Sequence, residues 1–275
     1  MRQILIIAGK ELRDGMRNRW VVATTALLAA LALTLAFLGA APTGAVRVSG
    51  LAVTIVSLSS LSIFLVPLIA LLLSYDAIVG EVDRGAMALL LAYPVARWQV
   101  MLGKFAGHLA ILGFAILVGY GVAALALQWA GNDDQSAWTA FAIMVGSSVL
   151  LGGIFLAIGY LVSTLVRDRG TAGGVAIGVW LFFVLLYDMA LLGLLVADQG
   201  RTVTADVLNI MLLLNPADAY RLLNLTSSSD VSTFAGVVGL GARAGLGPGL
   251  LLGALCAWMA APLAAATALF ARRQV

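Results

Sequence analysis

The sequence contains very few of the residues that build disulfide bonds and metal sites. Cys256 is its only cysteine and His108 its only histidine. A single cysteine excludes an intrachain disulfide and a cysteine-based metal cage. The eight methionines are scattered and show no ligand spacing. We therefore expect no metal-ligating residues in this chain.

Charge is also scarce. Charged residues make up 11% of the chain and hydrophobic residues 62%. A soluble core cannot use that much apolar surface, whereas a helical membrane protein can. The apolar residues run continuously instead of alternating, which excludes a membrane β-barrel. The sequence predicts an all-α integral membrane protein with one transmembrane domain, residues 1–275, and no nucleic-acid partner.

Six apolar runs are long enough to cross a bilayer, which takes about 20 residues. They are residues 20–41, 51–74, 105–130, 137–166, 171–197 and 249–271. Residues 1–19 precede them and combine basic residues with an apolar stripe at i+4 spacing. This pattern predicts a helix lying in the membrane interface against anionic lipid. An extended, solvated N-terminus is the alternative.

The basic residues indicate the orientation of the chain. Twelve of the sixteen Lys and Arg residues lie on one side of the membrane if six runs span it. Basic residues are enriched in cytoplasmic loops, so both termini and residues 76–104 are predicted to be cytoplasmic. The short acidic loop at 132–134 is then on the outer side.

The longest outer segment is residues 198–248. Helices are predicted at 204–214 and 217–225, with a break at Pro216 and a polar tract at 226–233. This segment is too apolar for a solvated loop. We expect it to dip into the outer interface or to cover a cavity, and to offer a surface for a periplasmic partner.

We call residues 76–104 the coupling segment. It is predicted to contain one short amphipathic helix, 81–93, that ends before Pro94. Glu81 and Arg84 are expected to pair at i,i+3 spacing and to face water. A soluble protein that bound this helix could move the spans on either side.

Two kinds of catalytic site are excluded. The phosphate-binding sequence G-x-x-x-x-G-K-[ST] is missing, since Gly103-Lys104 is followed by Phe105. A serine protease would need Ser148 and His108 in hydrogen-bonding contact, but the predicted spans place them at different depths. The chain is therefore not expected to be an enzyme or to bind ATP.

A few polar residues within the spans are candidates for a substrate path. Asp188 is the one acid inside an apolar run and lies toward the outer end of its span. It could line a vestibule or pair with an outer arginine. Ser57 and Ser60 are further candidates, although hydrogen bonding between helices explains such serines more often.

Glycines repeat at i+4 spacing in three of the spans, and such faces let helix backbones approach closely. The repeats are Gly103 and Gly107; Gly170, Gly174 and Gly178; and Gly249 and Gly253. They are compatible with a dimerising or sliding surface and also with ordinary packing.

This plan resembles the membrane subunits of ABC-2-type (type V) ABC transporters along the whole chain. The matching motifs are Lys10-Glu11-Leu12 in the N-terminal helix and, in the coupling segment, Gly80-Glu81, Gly85, Leu89-Leu90-Leu91, Tyr93-Pro94-Val95, Arg97 and Gly103-Lys104.

The resemblance implies a homodimer in the bacterial inner membrane. A separate cytoplasmic ATPase, which holds the ATP and Mg, would bind the coupling segment, and a periplasmic subunit would bind residues 198–248. No cofactor is implied for this chain. The residues implied for ATPase coupling are Glu81, Asp83, Arg84, Gly85, Leu89, Leu90, Tyr93 and Arg97.

Longer strings at 10–20, 64–85 and 89–108 resemble permeases that serve the copper–sulfur centres of nitrous oxide reductase. That resemblance implies delivery of a sulfur species or copper. Two other functions stay open. One is an ion-coupled secondary transporter, and the other is a membrane anchor or mechanotransmission scaffold for a periplasmic assembly factor.

Overall fold

The computed structural model describes residues 2–17, 19–39, 50–129, 135–199, 203–226 and 246–273. Within these ranges the chain is helical and has no strand, which confirms the all-α prediction. Five helices are long and apolar enough to span a membrane, or six if the first two form one bent span. The predicted acidic loop at 132–134 and nearly all of the polar tract at 226–233 lie outside the described residues.

Twelve α-helices follow one another along the described chain. They are α1 (Arg2–Met16), α2 (Arg19–Gly39), α3 (Gly50–Ser74), α4 (Val79–Asp83), α5 (Ala86–Leu91), α6 (Arg97–Trp129), α7 (Gln135–Leu165), α8 (Arg169–Leu181), α9 (Tyr187–Asp198), α10 (Ala205–Leu213), α11 (Pro216–Thr226) and α12 (Pro248–Arg272). A π-helical turn, Phe182–Leu186, joins α8 to α9. Helix α1 lies at 70° to the helix that follows it.

Helix α7 is the centre of the bundle and packs mainly against α3 and α12. Two-thirds of its most apolar stretch is buried, at 67%. Glycines make this packing possible, because a Cβ at Gly159 would overlap Ser74 and one at Gly152 would overlap Leu112. The absence of side chains at these positions lets α3 and α6 approach the α7 backbone closely.

The fifth predicted span, α8 to α9, is the opposite case. Only 6% of its most apolar stretch is buried within the chain. No described atom lies within 4 Å of a Cβ built at Gly174 or Gly178. Packing within one described chain therefore does not account for these two glycines, whereas Gly103 and Gly107 pack directly against α1.

Helices α10 and α11 lie where two helices were expected in the outer segment. Asn215 separates them, and its side-chain oxygen accepts a hydrogen bond from the N–H of Ala217 at 3.0 Å, while Pro216 occupies the first turn. Helix α11 is almost wholly buried and packs on α12, α7 and α3. It therefore enters the bundle instead of only covering it.

Candidate functional site

The coupling segment forms two short helices where one was predicted. Helix α4 ends at Asp83 and α5 begins at Ala86, and between them Gly85 takes a left-handed conformation with φ of 71°. Glycine adopts this conformation without steric cost, whereas a side chain would be strained there. The prediction of one continuous helix over 81–93 is therefore wrong, because the chain turns at Gly85.

The predicted Glu81–Arg84 pair is also wrong. Oε1 of Glu81 accepts a hydrogen bond from Nζ of Lys104 at 2.7 Å, and the Glu81 side chain is only 17% exposed. Arg84 instead lies 3.7 Å from Asp76. Glu81 thus faces the interior, because a buried lysine needs a carboxylate more than an exposed arginine does. Arg84 is exposed, as expected.

Residues 97–104 belong to helix α6, which begins at Arg97, eight residues before the predicted span. Only residues 92–96 separate α5 from this long helix. A displacement of α5 therefore reaches a membrane-spanning helix through a five-residue connection.

Helix α5 presents one apolar side to the exterior. Leu89 is 72% exposed and Tyr93, just beyond the helix, is 70% exposed. Asp83 is exposed in the preceding turn, whereas Leu90 is half-buried. Met87 is fully buried and anchors α5 to the bundle. This surface is of the kind that a soluble partner can bind.

Arg97, in contrast, faces the last helix of its own chain. Its guanidinium donates to the carbonyl oxygen of Phe270 at 3.0 Å and to that of Arg273. The same group lies 5.8 Å from the centre of the Phe270 ring. Arg97 therefore caps the carboxyl end of α12, where a cation is favourable.

The start of α4 is attached to two other helices. Ser163, on α7, accepts hydrogen bonds from the N–H groups of Ile78 and Val79, each at 3.0 Å. Asp76, just before α4, accepts a hydrogen bond from Arg169 at the start of α8 at 2.6 Å. The coupling segment is thus fastened to the end of α7 and to the start of α8.

A buried polar cluster that the sequence analysis did not identify lies between α1, α4, α6 and α7. It consists of Glu11, Glu81, Lys104, His108 and Tyr160. Burial alone would raise the pKa of Glu11, but the nearby Lys104 ammonium outweighs burial and the pKa lies below its usual value. Glu11 belongs to the motif Lys10-Glu11-Leu12, and Lys104 belongs to Gly103-Lys104. The signal in the sequence that could have revealed the cluster is a charged residue at the edge of an apolar run.

Asp188 is part of a second polar cluster, at the other end of the bundle. Its Oδ2 accepts hydrogen bonds from both terminal nitrogens of Arg221, at 3.1 and 3.0 Å. Arg221 also donates to the buried Asp218 at 3.1 Å. These three residues and five leucines line a cavity of about 200 Å³. Asp188 therefore pairs with an arginine and also lines a cavity.

A hydroxyl network lies inside the bundle near the two predicted path serines. Ser60 is exposed and Ser57 half-buried. Ser62 of the same helix is fully buried, and its Oγ lies 2.6 Å from the hydroxyl oxygen of Tyr120 and 3.4 Å from Oγ of Ser148. Ser148 in turn lies 2.9 Å from the hydroxyl oxygen of a tyrosine, Tyr220, on α11. These bonds fasten α11 to α3, α6 and α7.

Comparisons with known proteins agree with this architecture. The family model described as ABC-2 family transporter protein matches residues 5–275. A curated protein of Stutzerimonas stutzeri named "Probable ABC transporter permease protein NosY" is 46% identical over 275 residues, covering 99% of each chain. A protein of the same name from Pseudomonas aeruginosa is 47% identical over 277 residues, covering 100% of each chain. The chain therefore belongs to the ABC-2 family of ABC transporter permeases.

Proposed function

We propose that this chain receives mechanical force from a separate cytoplasmic ATPase through the exposed side of α5. The observation that carries the proposal is the contrast within that short helix. Leu89 and Tyr93 are exposed to more than two-thirds, although the neighbouring Met87 is fully buried. A helix that is anchored on one side and apolar on the other is suited to a protein partner.

The connections of the coupling segment support this role. Ser163 and Arg169 fasten its first turn to α7 and α8, and only residues 92–96 separate α5 from α6. A force on α5 therefore acts on three membrane helices through short, stiff connections. ATP and Mg would be bound by the partner, so this subunit would have no catalytic residue of its own.

We further propose that the transporter serves nitrous oxide reductase maturation. The support is the name NosY of the two relatives together with the resemblance of residues 10–20, 64–85 and 89–108. The complex would contain two copies of this chain, a NosF-like ATPase and a NosD-like periplasmic subunit. The cargo would be a sulfur species or copper for copper–sulfur cluster assembly.

In this arrangement the subunit lies in the bacterial inner membrane with both termini in the cytoplasm. Helix α1 would lie on the cytoplasmic surface against lipid, since its exposed residues include Leu5, Ile6 and Met16. Residues 198–248 would face the periplasm and bind the periplasmic subunit.

A second candidate function is mechanotransmission without passage of cargo. Its support is helix α11, which lies inside the bundle and is hydrogen-bonded through Tyr220 to Ser148. Movement of the bundle would then reach a periplasmic partner directly through α11. An ion-coupled transporter has less support, because Arg221 already neutralises Asp188.

Co-purification from native membranes tests the coupling proposal. The complex is solubilised, the tagged chain is isolated, and the bound nucleotide-binding ATPase is quantified. The variant Leu89→Asp with Tyr93→Ala is expected to lose the ATPase, because it removes the apolar surface of α5. Leu214→Asp is the matched control, since Leu214 is exposed to 55% at the other end of the bundle. Retention of the ATPase by the α5 variant would overturn the proposal.

A further inference from the structure

Lys104 joins three helices at one point. Its ammonium Nζ lies 2.8 Å from Oε1 of Glu11 on α1 and 2.7 Å from Oε1 of Glu81 on α4. The Lys104 side chain is only 2% exposed. A cation so far from water must keep its carboxylate partners, because an unpaired buried charge is strongly unfavourable. The ion pairs therefore hold α1 and α4 to the same position on α6.

The N-terminal helix has a second attachment to the coupling segment. Nε2 of Gln3 donates a hydrogen bond to the carbonyl oxygen of Pro94 at 2.9 Å. Gln3 lies two turns before Glu11 on the same helix, and Pro94 follows α5. Helix α1 is thus attached to α4 through Lys104 and to the connection after α5 through Pro94.

Close packing makes α1 and α6 a stiff pair. A Cβ at Gly103 would come 2.8 Å from Cβ of Ile7, and one at Gly107 would come 2.6 Å from Cβ of Glu11. Both distances are shorter than real Cβ contacts, so the two backbones lie as close as glycine permits. Interiors packed in this way transmit displacement with little compression.

The polar contacts continue from Glu11 into the bundle. Oε2 of Glu11 lies 3.6 Å from Nε2 of His108, and Nδ1 of His108 lies 2.8 Å from the hydroxyl oxygen of Tyr160 on α7. Glu11 therefore uses both carboxylate oxygens, one toward Lys104 and one toward His108. A displacement of α4 that moves Lys104 therefore also displaces α1.

We propose that Glu11 and Lys104 are positioning residues that make the N-terminal helix move together with the coupling segment. The inference rests on the proposed function, since the ATPase would supply the force at α5. Under it, α1 responds to the nucleotide state of the complex although the ATPase acts on another part of the chain. The N-terminal helix is then a working part of the coupling machinery and not only a membrane anchor.

Amide hydrogen exchange of the complex in nanodiscs tests this inference. Exchange is compared between the nucleotide-free complex and the complex trapped with ATP, for peptides covering α1 and α4–α5. In the native chain we expect ATP to shift exchange in both regions. In Glu11→Leu we expect the shift to remain in α4–α5 and to become clearly smaller in α1, where the Gln3 hydrogen bond and the packing on α6 are still present. The variant leaves Lys104 paired with Glu81, so no buried charge becomes unpaired.

Asp14→Leu is the matched control, because Asp14 is an acid on the same helix, is 60% exposed and pairs with Lys10 at 3.7 Å. It should keep the ATP-dependent shift of α1. Glu11→Gln, which can still accept a hydrogen bond from Lys104, should keep part of that shift. Adding Gln3→Leu to Glu11→Leu should reduce the α1 shift further.

Two results would overturn the inference: an α1 shift in Gln3→Leu/Glu11→Leu that is as large as in the native chain, or no α1 shift in the native chain. Both are read only in preparations in which the ATPase is bound and α4–α5 responds to ATP. Loss of the ATPase from the native complex would instead contradict the proposed function, so the two failures are distinguishable. If Glu11→Leu does not fold, the comparison of Glu11→Gln with Asp14→Leu decides, and equal α1 shifts in the two would overturn the inference.

Discussion

The carboxylate of Asp76 lies against the backbone of Gly80, so closely that a Cβ on residue 80 would overlap its Oδ1 atom. The other carboxylate oxygen of Asp76 accepts the 2.6 Å hydrogen bond from Arg169. It also lies 3.7 Å from Arg84. The missing side chain at Gly80 therefore makes room for the ion pairs that fasten the coupling segment to α8.

Gly80→Ala should lower the thermal stability of the detergent-solubilised protein. The added methyl group must displace the Asp76 side chain, which weakens its contacts with Arg169 and Arg84. Gly9→Ala is the control, because no described atom lies within 4 Å of a Cβ there. That change should be neutral or stabilise α1 by up to about 1 kcal/mol, the usual difference between alanine and glycine in a helix. Equal melting temperatures for the two variants would contradict this account.

The stability of the protein should fall as pH rises from about 4 to 7 because of Asp218. Burial and the nearby carboxylate of Asp188 raise the pKa of Asp218 to about 7, although Arg221 opposes the change. The folded protein thus retains a proton that the unfolded chain releases near its ordinary value of 3.8. Stability decreases with pH wherever the folded state binds more protons.

The measurement is the melting temperature at pH 5 and at pH 8 for the native chain and for Asp218→Asn. The asparagine cannot ionise, so the difference between the two pH values should become smaller in the variant. Asp206→Asn is the control, because Asp206 is an exposed acid in the first turn of α10. An unchanged pH difference in Asp218→Asn would show that another group causes it.

The helices of this fold could be predicted because bilayer thickness sets their length. Five helical stretches have bounds within a few residues of the predicted runs, except that α6 begins eight residues earlier than predicted. The depth of each helix within the bundle could not be predicted. Helices α7 and α8–α9 are similarly apolar, yet their most apolar stretches are 67% and 6% buried. In a membrane, an apolar side chain is as favourable against lipid as against another helix. Hydropathy therefore does not predict which helices are buried within the bundle and which face lipid.

The site was predicted less well because its main contacts join residues that are far apart in sequence. Glu81 has Arg84 at helical spacing, but its actual partner is Lys104 on another helix. The ammonium of Lys104 is buried and needs a carboxylate partner, and this need outweighs the i,i+3 pair. Spacing within one helix does not reveal such a partner. Gly85 was included in the motif, yet its left-handed conformation depends on the turn that α5 makes to bury Met87.

A charge at Gly174 should disrupt the proposed homodimer. No described atom of the same chain lies within 4 Å of a Cβ at this position, so Gly174→Ala should fold normally. Gly174→Glu places a carboxylate in a membrane-spanning helix, at a cost of about 2 to 4 kcal/mol on insertion scales. Gly121→Glu is the control for the cost of inserting a charge. Gly121 lies in the apolar helix α6, and no described atom of another helix lies within 4 Å of a Cβ there. Mass measurement in nanodiscs should show monomers for Gly174→Glu and dimers for Gly121→Glu. Dimers in both variants would exclude the face that carries Gly174 as the dimer interface.

Arg273→Ala should destabilise the end of the bundle at which α7 and α12 end. The Arg273 guanidinium donates to the carbonyl oxygens of Ser163, Thr164 and Val166, at 3.3, 3.0 and 3.1 Å. Ser163 and Thr164 carry two of the last carbonyls of α7, which have no partners within their own helix, and Val166 follows α7 directly. Because hydrogen bonds from a charged donor contribute about 1.5 to 3 kcal/mol, the variant should unfold at a clearly lower temperature.

Arg272→Ala is the natural control for that experiment, because Arg272 is the neighbouring basic residue and is exposed at the end of α12. Both changes remove one positive charge from the same end of the bundle. If the destabilisation comes from the capped carbonyls, it should appear in Arg273→Ala alone. Arg273→Lys should recover only part of it, because an ammonium on a single carbon chain cannot reach three carbonyls as a planar guanidinium does. Equal losses in Arg272→Ala and Arg273→Ala would mean that the charge acts through the membrane surface and not through α7.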